Sequence, residues 1–450
     1  MTCWKTLATL TFLSTIASAS SKDLNSLMTK DFMTGTVAVG CQPKGMKSDL
    51  SGHLLYVAEM CGKKINGVKV PSVSVIDMNS KKGFKTIITP AGHKKGIFAN
   101  TEVEMSESGE YALIARAEGD ADAIFPGKGM ITVVETKNQN TVKYIPVNGT
   151  GSKIIARRPQ LPGDARKSEI IYVANYFSDD ISVLDITDLK NDGQLNGTNH
   201  LKGVVKLTTE FKNKKTFNPI APRGVAFTHD GQYAFILATN TGSIIIMDSV
   251  KHQQIAELAP IPDSKFNRYV NVRHIVTTQD GKTAYLSHMN GNGVSRINIE
   301  KLLKLALTAQ KNGQKTLPAS AWDQLFIPFA NGKTMLILED YPKDHPNFAG
   351  KKWAYAHPNT IALDPIKNRY LYISYRTTSN ADYNIIDLSI KGKIDILDTT
   401  TGEIVMSLVG GAQPTALEVS PDNKTLISAG FKDSTVYFYD LEKILKIYEK

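Results

Sequence analysis

The stretch Asp230-Gly-Gln-Tyr-Ala-Phe-Ile-Leu237, with Ser243-Ile-Ile-Ile-Met-Asp248 behind it, decides the fold. Asp-Gly is a turn dipeptide, and the runs that follow are rich in Ile, Phe and Tyr, so the segment reads as an antiparallel hairpin. Just upstream, Pro222-Arg-Gly-Val-Ala-Phe reads as a further short strand opening at a proline. The phrase recurs as Ser51-Gly-His-Leu-Leu-Tyr-Val-Ala58, Ser108-Gly-Glu-Tyr-Ala-Leu-Ile-Ala115 and Lys167-Ser-Glu-Ile-Ile-Tyr-Val-Ala174. It continues as Asp280-Gly-Lys-Thr-Ala-Tyr-Leu-Ser287, Lys367-Asn-Arg-Tyr-Leu-Tyr-Ile-Ser374 and Asp422-Asn-Lys-Thr-Leu-Ile-Ser-Ala429.

Each copy is followed by a second β-rich run: Val73–Asp77, Ile131–Glu135, Ile181–Asp185, Ser243–Asp248, Val294–Ile299, Ile394–Asp398 and Val436–Asp440. Regularly spaced short strands of this kind predict an all-β chain folded as a β-propeller. Seven copies predict seven four-stranded antiparallel blades. Thr36-Val-Ala-Val-Gly40 precedes the first copy without a hairpin of its own, so it is expected to close the ring as the outer strand of the last blade. Asn331-Gly-Lys-Thr-Met-Leu-Ile-Leu338 resembles the phrase and leaves eight blades as the alternative, but too few residues follow it to complete another blade.

The 450 residues are 42% hydrophobic and 21% charged, which excludes collagenous, low-complexity and wholly disordered chains. The one long apolar run is N-terminal and shorter than the ~20 residues of a membrane-spanning helix, which excludes a polytopic membrane protein. It runs from Leu7 to Ile16 after Lys5 and ends in Ala17-Ser18-Ala19, the pattern of a cleaved secretion signal. The expected organisation is a signal peptide over 1–19, a linker over 20–34 and one propeller over 35–450, the alternative at the start being a buried helix. A secreted reading places the protein in a periplasm or outside the cell, without a transmembrane segment after cleavage and without nucleic-acid partners. Its net charge of +10 is spread along the chain and points only weakly to anionic partners.

Cys41 and Cys61 fall opposite one another about a turn at Asp49-Leu50-Ser51-Gly52, so an oxidising compartment predicts a disulfide between them, the alternative being two buried thiols. The closely paired Cys and His ligands of a zinc site are absent.

Tyr172-Val-Ala-Asn-Tyr176 followed by Ile181-Ser-Val-Leu-Asp185 resembles the YVTN-type β-propeller repeat family of secreted and periplasmic proteins. The resemblance covers about residues 35–440, closest in the third copy and loosest in the second and fifth. It implies architecture and says little about activity, because the shared motif is a packing motif.

In an up-and-down blade, the loop entering the first strand and the loop joining the second and third lie on one face. The long segments Gly62–Pro71, Arg116–Gly129, Arg376–Lys393 and the loop 340–357 are therefore expected together on one face, with the cysteine pair. A helical insertion is predicted near 300–315, on the other face, from the stripe Leu302, Leu303, Ala306 and Leu307 ending at Asn312-Gly313.

Residues aligned with the position just after the inner-strand proline should ring the mouth of the central channel: Lys44, Thr101, Gln160, Arg223, Arg273, Asn359 and Thr415, flanked by Arg158, His274 and His357. Their positive potential would suit an anionic or carbonyl-bearing small molecule. The competing reading is that they satisfy backbone groups and tie blades together. His274 and His357 are candidate metal or haem ligands or ordinary hydrogen-bonded histidines, and Glu118, Asp120 and Asp122 form an acidic loop lacking the glycine and final glutamate of an EF-hand. No metal and no cofactor is assigned. Tyr341, Lys343, Trp353 and Tyr355 make the 340–357 loop a surface suited to a partner protein, peptide or polymer.

Nucleophile-elbow, phosphate-loop, dinucleotide and zinc-protease motifs are all missing. The expected function is therefore non-catalytic: binding of a partner protein, peptide or surface polymer through the loop-rich face. The enzyme alternative is a lactonase-like hydrolase or a redox propeller, with Arg223 and Arg273 stabilising an oxyanion at the channel mouth.

Overall fold

The recurring turn is held by one set of hydrogen bonds. A computed structural model describes residues 31–448 apart from 90–99, 118–126, 190–196, 212–218, 264–267, 290, 329–334, 339–353 and 380–391. In it the Thr228 N–H donates to Tyr233 O at 2.9 Å, the Thr228 hydroxyl to Asp230 Oδ1 at 2.6 Å, and the Gln232 N–H to the same carboxylate oxygen at 3.0 Å. Gly231 has φ +69°, and a Cβ there would meet Pro159 O at 2.4 Å, so both backbone conformation and space require glycine. Thr278 with Asp280, and Ser420 with Asp422, repeat the arrangement in two other blades. The repeated phrase is thus a turn device that fixes the register of the strands on either side.

Seven antiparallel sheets of four strands result. Blade 1 comprises Cys41–Ser48, Leu54–Ile65, Val68–Asp77 and Lys82–Ile88; blade 2, Asn100–Met105, Tyr111–Arg116, Met130–Glu135 and Asn140–Pro146. Blade 3 comprises Ser152–Arg157, Ile170–Asn175, Asp180–Asp185 and Leu201–Lys206; blade 4, Pro222–Phe227, Tyr233–Ala238, Ser243–Asp248 and Gln253–Leu258. Blade 5 comprises Val272–Thr277, Thr283–His288, Gly293–Asn298 and Met335–Ile337; blade 6, Ala354–Leu363, Tyr370–Ser379, Lys393–Asp398 and Glu403–Val409. The stretch that offered an eighth blade supplies the outer strand of blade 5, paired with Gly293–Ser295.

Blade 7 joins the chain ends. Pro414–Val419, Thr425–Gly430 and Thr435–Asp440 take Met33–Ala38 as their outer strand. That strand begins ahead of the expected Thr36, and Phe32 is buried beside it, so the end of the 20–34 linker belongs to the propeller. Residues 1–19 lie outside the described residues. A C-terminal helix that the sequence reading did not anticipate, Leu441–Tyr448, buries Leu441, Ile444 and Leu445 in the cluster that contains Phe32.

The hydrophobic core is divided between blades. Tyr172, Phe227, Ile236 and Ile245 belong to the cluster joining blades 3 and 4, and Leu113, Val133, Ile171 and Leu184 to the one joining blades 2 and 3. Alternation along each strand sends one set of side chains to each neighbouring blade, so nearly every residue of a middle strand such as Ile170–Asn175 is buried.

The expected insertion forms a helix, Ile299–Lys311, stopped at Asn312-Gly313 with Gly313 at φ +70°. Its destination was not legible. The chain crosses to blade 4, where Thr316–Leu317 pairs in parallel with Glu257–Leu258, and Trp322 donates Nε1–H to Ala259 O at 2.7 Å. An insertion of blade 5 therefore covers the sheet edge of blade 4. The Asn298 side chain caps the helix by accepting from Lys301 N–H at 3.0 Å. Asn298→Ala is expected to lower unfolding stability by about 1 kcal/mol in urea titration.

The segment Gly62–Pro71, expected as a loop, continues two strands of blade 1 and turns at Asn66-Gly67, both at positive φ. Cys41 and Cys61 form the expected disulfide with Cα atoms 5.2 Å apart. The pairing register differs from the simple hairpin: shifts on either side of Pro43 put Cys41 opposite Gly62. Beside the disulfide, Glu59 is fully buried and accepts hydrogen bonds from Gly40 N–H and from the Ser72 and Ser74 hydroxyls.

Candidate functional site: the basic mouth of the central channel

All seven inner strands break register near their start. The breaks fall between Pro43 and Gly45, Asn100 and Glu102, Ser152 and Ile154, Pro222 and Val225, Val272 and His274, Pro358 and Ile361, and Pro414 and Ala416. The first residue left out of pairing is, in blade order, Lys44, Thr101, Lys153, Arg223, Arg273, Asn359 and Thr415. A bulge re-aims the side chain of its extra residue, and these seven line a central channel of about 600 Å³. The sequence-derived ring is thus assembled in six blades.

Blade 3 is the exception. Its inner strand is Ser152–Arg157, before Pro159, so that proline lies in the first hairpin and does not open the strand. Lys153 takes the place expected for Gln160, which lies in a separate cleft with Leu161 and Glu169. Arg158 is also removed from the channel lining: it is buried and donates Nη1–H to Ser249 O at 3.2 Å, tying blade 3 to blade 4. His357 lies on the first strand of blade 6, opposite Arg376 and outside the channel lining. Tyr341, Lys343 and Trp353, like Glu118, Asp120 and Asp122, lie outside the described residues; Tyr355 is in the strand Ala354–Leu363, opposite Thr378.

Part of the ring holds blades together, as the competing reading proposed. The Thr415 hydroxyl donates to Pro43 O at 3.0 Å, the Thr360 hydroxyl to Thr415 O at 2.6 Å, and the Thr101 hydroxyl to Ser152 O at 2.8 Å. Arg273 donates Nε–H to Asn359 Oδ1 and places Nη1 2.9 Å from the Met289 sulfur. Lys44 and Arg223 are different. Among the described residues neither has a hydrogen-bond or ion-pair partner; Lys44 Nζ lies 5.5 Å from the centre of the Phe431 ring.

Enclosure and crowding shape the charges. Burial holds Lys44 well below the usual lysine range, and the nearby Arg223, Arg376, Arg273 and Lys153 lower it further. Burial brings Arg223 down to about 10, with Arg376 adding to the effect and Tyr176 and Glu102 opposing it. Burial, Arg223, Arg273 and Lys47 bring His274 down to about 4, leaving a neutral imidazole at pH 7.

Further along the same strands lie charges that the sequence reading missed: Lys47, Glu102, Glu104 and Glu418. Lys47 and Glu418 form an ion pair at 3.6 Å, and Glu418 also accepts from the Ser48 hydroxyl at 3.0 Å. The signal was present, because Glu102 and Glu104 alternate with Val103 and Met105, a pattern that aims the carboxyls into the channel. Burial pushes Glu102 up to about 8 despite Lys44 and Arg223 nearby. The folded chain then keeps a proton that the unfolded chain releases near its ordinary 4.5. This contribution to stability is complete below about pH 4.5 and is lost as pH rises through about 8. Glu102→Gln should flatten that decline, read as urea midpoints of both proteins at pH 5, 7 and 9.

Among the described residues, no group of three or more His, Cys, Asp or Glu side chains could hold a metal ion, and no helix is long and apolar enough to cross a membrane.

Fold and channel define a seven-bladed β-propeller with a basic mouth. No family model matches the chain. It is 24% identical over 378 residues to antigen Lp49 of Leptospira interrogans serogroup Icterohaemorrhagiae serovar copenhageni (strain Fiocruz L1-130), an alignment covering 82% of this chain. The chain spans 62% of that relative's length. Among solved structures it is similar to the β-propeller domain of Cps50 (Swd1) from Myceliophteria thermophila, with a TM-score of 0.54, 12% identity and coverage of 90% of this chain and 99% of that one. It is also similar to a chain of the mitotic checkpoint complex, with a TM-score of 0.55, 10% identity and 91% of each chain covered. At these identities the two structures speak to the fold alone.

Proposed function

We propose that this chain is an extracytoplasmic β-propeller of the YVTN type that binds a partner protein or surface polymer, without catalysis, through the face bearing its disulfide. The observation that carries this reading is the elaboration of one end of the ring. Blades 1 and 6 lengthen strands to 10–12 residues at that end, against 6 in most other blades, and the disulfide braces the blade 1 extension. Rigid extensions beyond a closed ring provide a preorganised docking face. The disulfide, the N-terminal sequence and the antigen designation of the distant relative support an extracytoplasmic location.

The oxyanion role considered for Arg273 in the enzyme alternative competes with its bond to Asn359, which weighs toward binding. The test is retention of the purified protein on envelope material from its source. Truncation of 342–353 and Lys64→Glu on the exposed blade 1 extension should reduce retention severalfold, whereas Leu307→Glu on the helix at the other end should not. Equal retention by all variants would refute the reading, and recovery of the native protein from the cytosol with residues 1–19 intact would refute the location.

A further inference from the structure

We infer that the channel mouth is a binding site for a small oxyanion, a carboxylate or phosphate group held by Lys44 and Arg223 from blades 1 and 4 with His274 beside them. This goes beyond docking of a macromolecular partner and stands without it.

The argument begins with what the other channel charges do. Lys47 is matched by Glu418 at 3.6 Å. Arg273 is committed to Asn359, and Lys153 lies 5.6 Å from the Phe177 ring centre and 5.9 Å from that of Tyr176; Arg376, outside the lining, donates to Gln413 Oε1 at 3.4 Å. Among the described residues Arg223 is then left without a hydrogen-bond or ion-pair partner, Lys44 has only a ring contact like that of Lys153, at 5.5 Å from the Phe431 centre, and the buried Nδ1 of His274 has no hydrogen-bond partner. All three side chains line the same cavity.

Packing does not require this arrangement. Bulge positions are filled by threonine in blades 2 and 7 and by asparagine in blade 6, where the side chains make interblade bonds without a charge. Converging cations in an enclosed channel repel one another: Arg223, Arg376, Arg273 and Lys153 add to the burial that already lowers Lys44. Burial pushes Glu102, further along the channel, up to about 8, so at pH 7 it offsets them less than an ionised carboxylate would. An entering oxyanion would accept from the planar guanidinium of Arg223 and the ammonium of Lys44 and remove that repulsion. The neutral imidazole of His274 can donate a further hydrogen bond through whichever nitrogen carries its proton.

The full chain is tested by isothermal titration and thermal shift with citrate and inorganic phosphate, against sodium chloride at matched ionic strength. Citrate or phosphate should bind and raise the melting temperature where chloride does not, and the preferred probe identifies the carboxylate or phosphate class. Arg223→Gln and, separately, Lys44→Gln should each weaken binding at least tenfold, while Lys251→Gln on the exposed surface leaves it unchanged. Because the cations repel one another, Arg223→Gln should leave the urea midpoint unchanged or raise it, an outcome that a merely structural role would not give. Stabilisation by chloride equal to that by both probes, or undiminished binding in Arg223→Gln and Lys44→Gln, would overturn the assignment. Loss of anion binding with envelope retention intact, or the reverse, separates this site from the docking face.

Discussion

Removal of residues 31–38 will give a chain that unfolds at much lower urea and self-associates at micromolar concentration. Met33–Ala38 supplies the fourth strand of blade 7, in register from Gly35 opposite Phe438 to Ala38 opposite Thr435, with a shift before Gly35 where Met33 pairs with Tyr439. Through the link to Cys41 it also ties the last blade to the first. Without it, Thr435–Asp440 becomes an open edge carrying Val436, Phe438 and Tyr439, a template for pairing with another chain. The lost terms are several interstrand hydrogen bonds at about 1 kcal/mol each and the burial of Phe32 and Val37 at about 2 kcal/mol each. Their sum is comparable to the whole stability of an ordinary domain. Size-exclusion chromatography with urea unfolding reads both effects. A truncated chain that remained monomeric with an unchanged midpoint would show that interblade packing alone holds the ring closed. In the full-length chain, Val37→Asp should produce a smaller loss in the same direction by placing an unpaired carboxylate in that buried position.

Reduction of the Cys41–Cys61 disulfide should lower stability by about 3 kcal/mol, since it releases a closed loop of sequence separation 20. The effect is concentrated where the structure is most exposed to it. Blade 1 follows directly on the strand that closes blade 7 and carries the extended hairpin, and the disulfide pins its first strand to its second just where shifts at Pro43 interrupt regular pairing. Glu59 depends on the same clamp, because one of its donors is the N–H of Gly40, next to Cys41. The comparison is urea unfolding with and without reductant for the native chain and for Cys41→Ser/Cys61→Ser. The native chain should lose stability on reduction, while the double variant should start low and ignore the reductant. Identical curves for all four samples would mean that the sheet alone fixes this corner.

The site was legible in part, and the residues show why. Lys44 and Arg223 follow prolines at strand starts and Arg273 aligns with them in a strand that lacks one, so aligning the repeats was enough to place them at the mouth. The same rule failed in blade 3, where Pro159 sits in the hairpin after the inner strand and diverted attention from Lys153 to Gln160 and Arg158. Glu102, Glu104 and Glu418 were within reach of strand alternation but are ordinary charged residues until a channel exists for them to face. The division of labour among the ring cations could not be read beforehand: Arg273 and Arg223 occupy equivalent positions, but Arg273 is engaged by the side chains of Asn359, distant in sequence, and Met289.

What the sequence by itself determined is the part governed by neighbours along the chain. Turns such as Thr228–Tyr233, the alternation of strands, the number of blades, the helix at Ile299–Lys311 and the cysteine pair all depend on short-range conformational preference and period, and these are written in consecutive residues. Tertiary structure decided the rest: the bulges that turn seven residues into the channel, the covering of blade 4 by an insertion from blade 5, and the repulsion among cations drawn from separate blades. Those features arise from distances between residues far apart in sequence, which closing the ring sets and no local pattern contains.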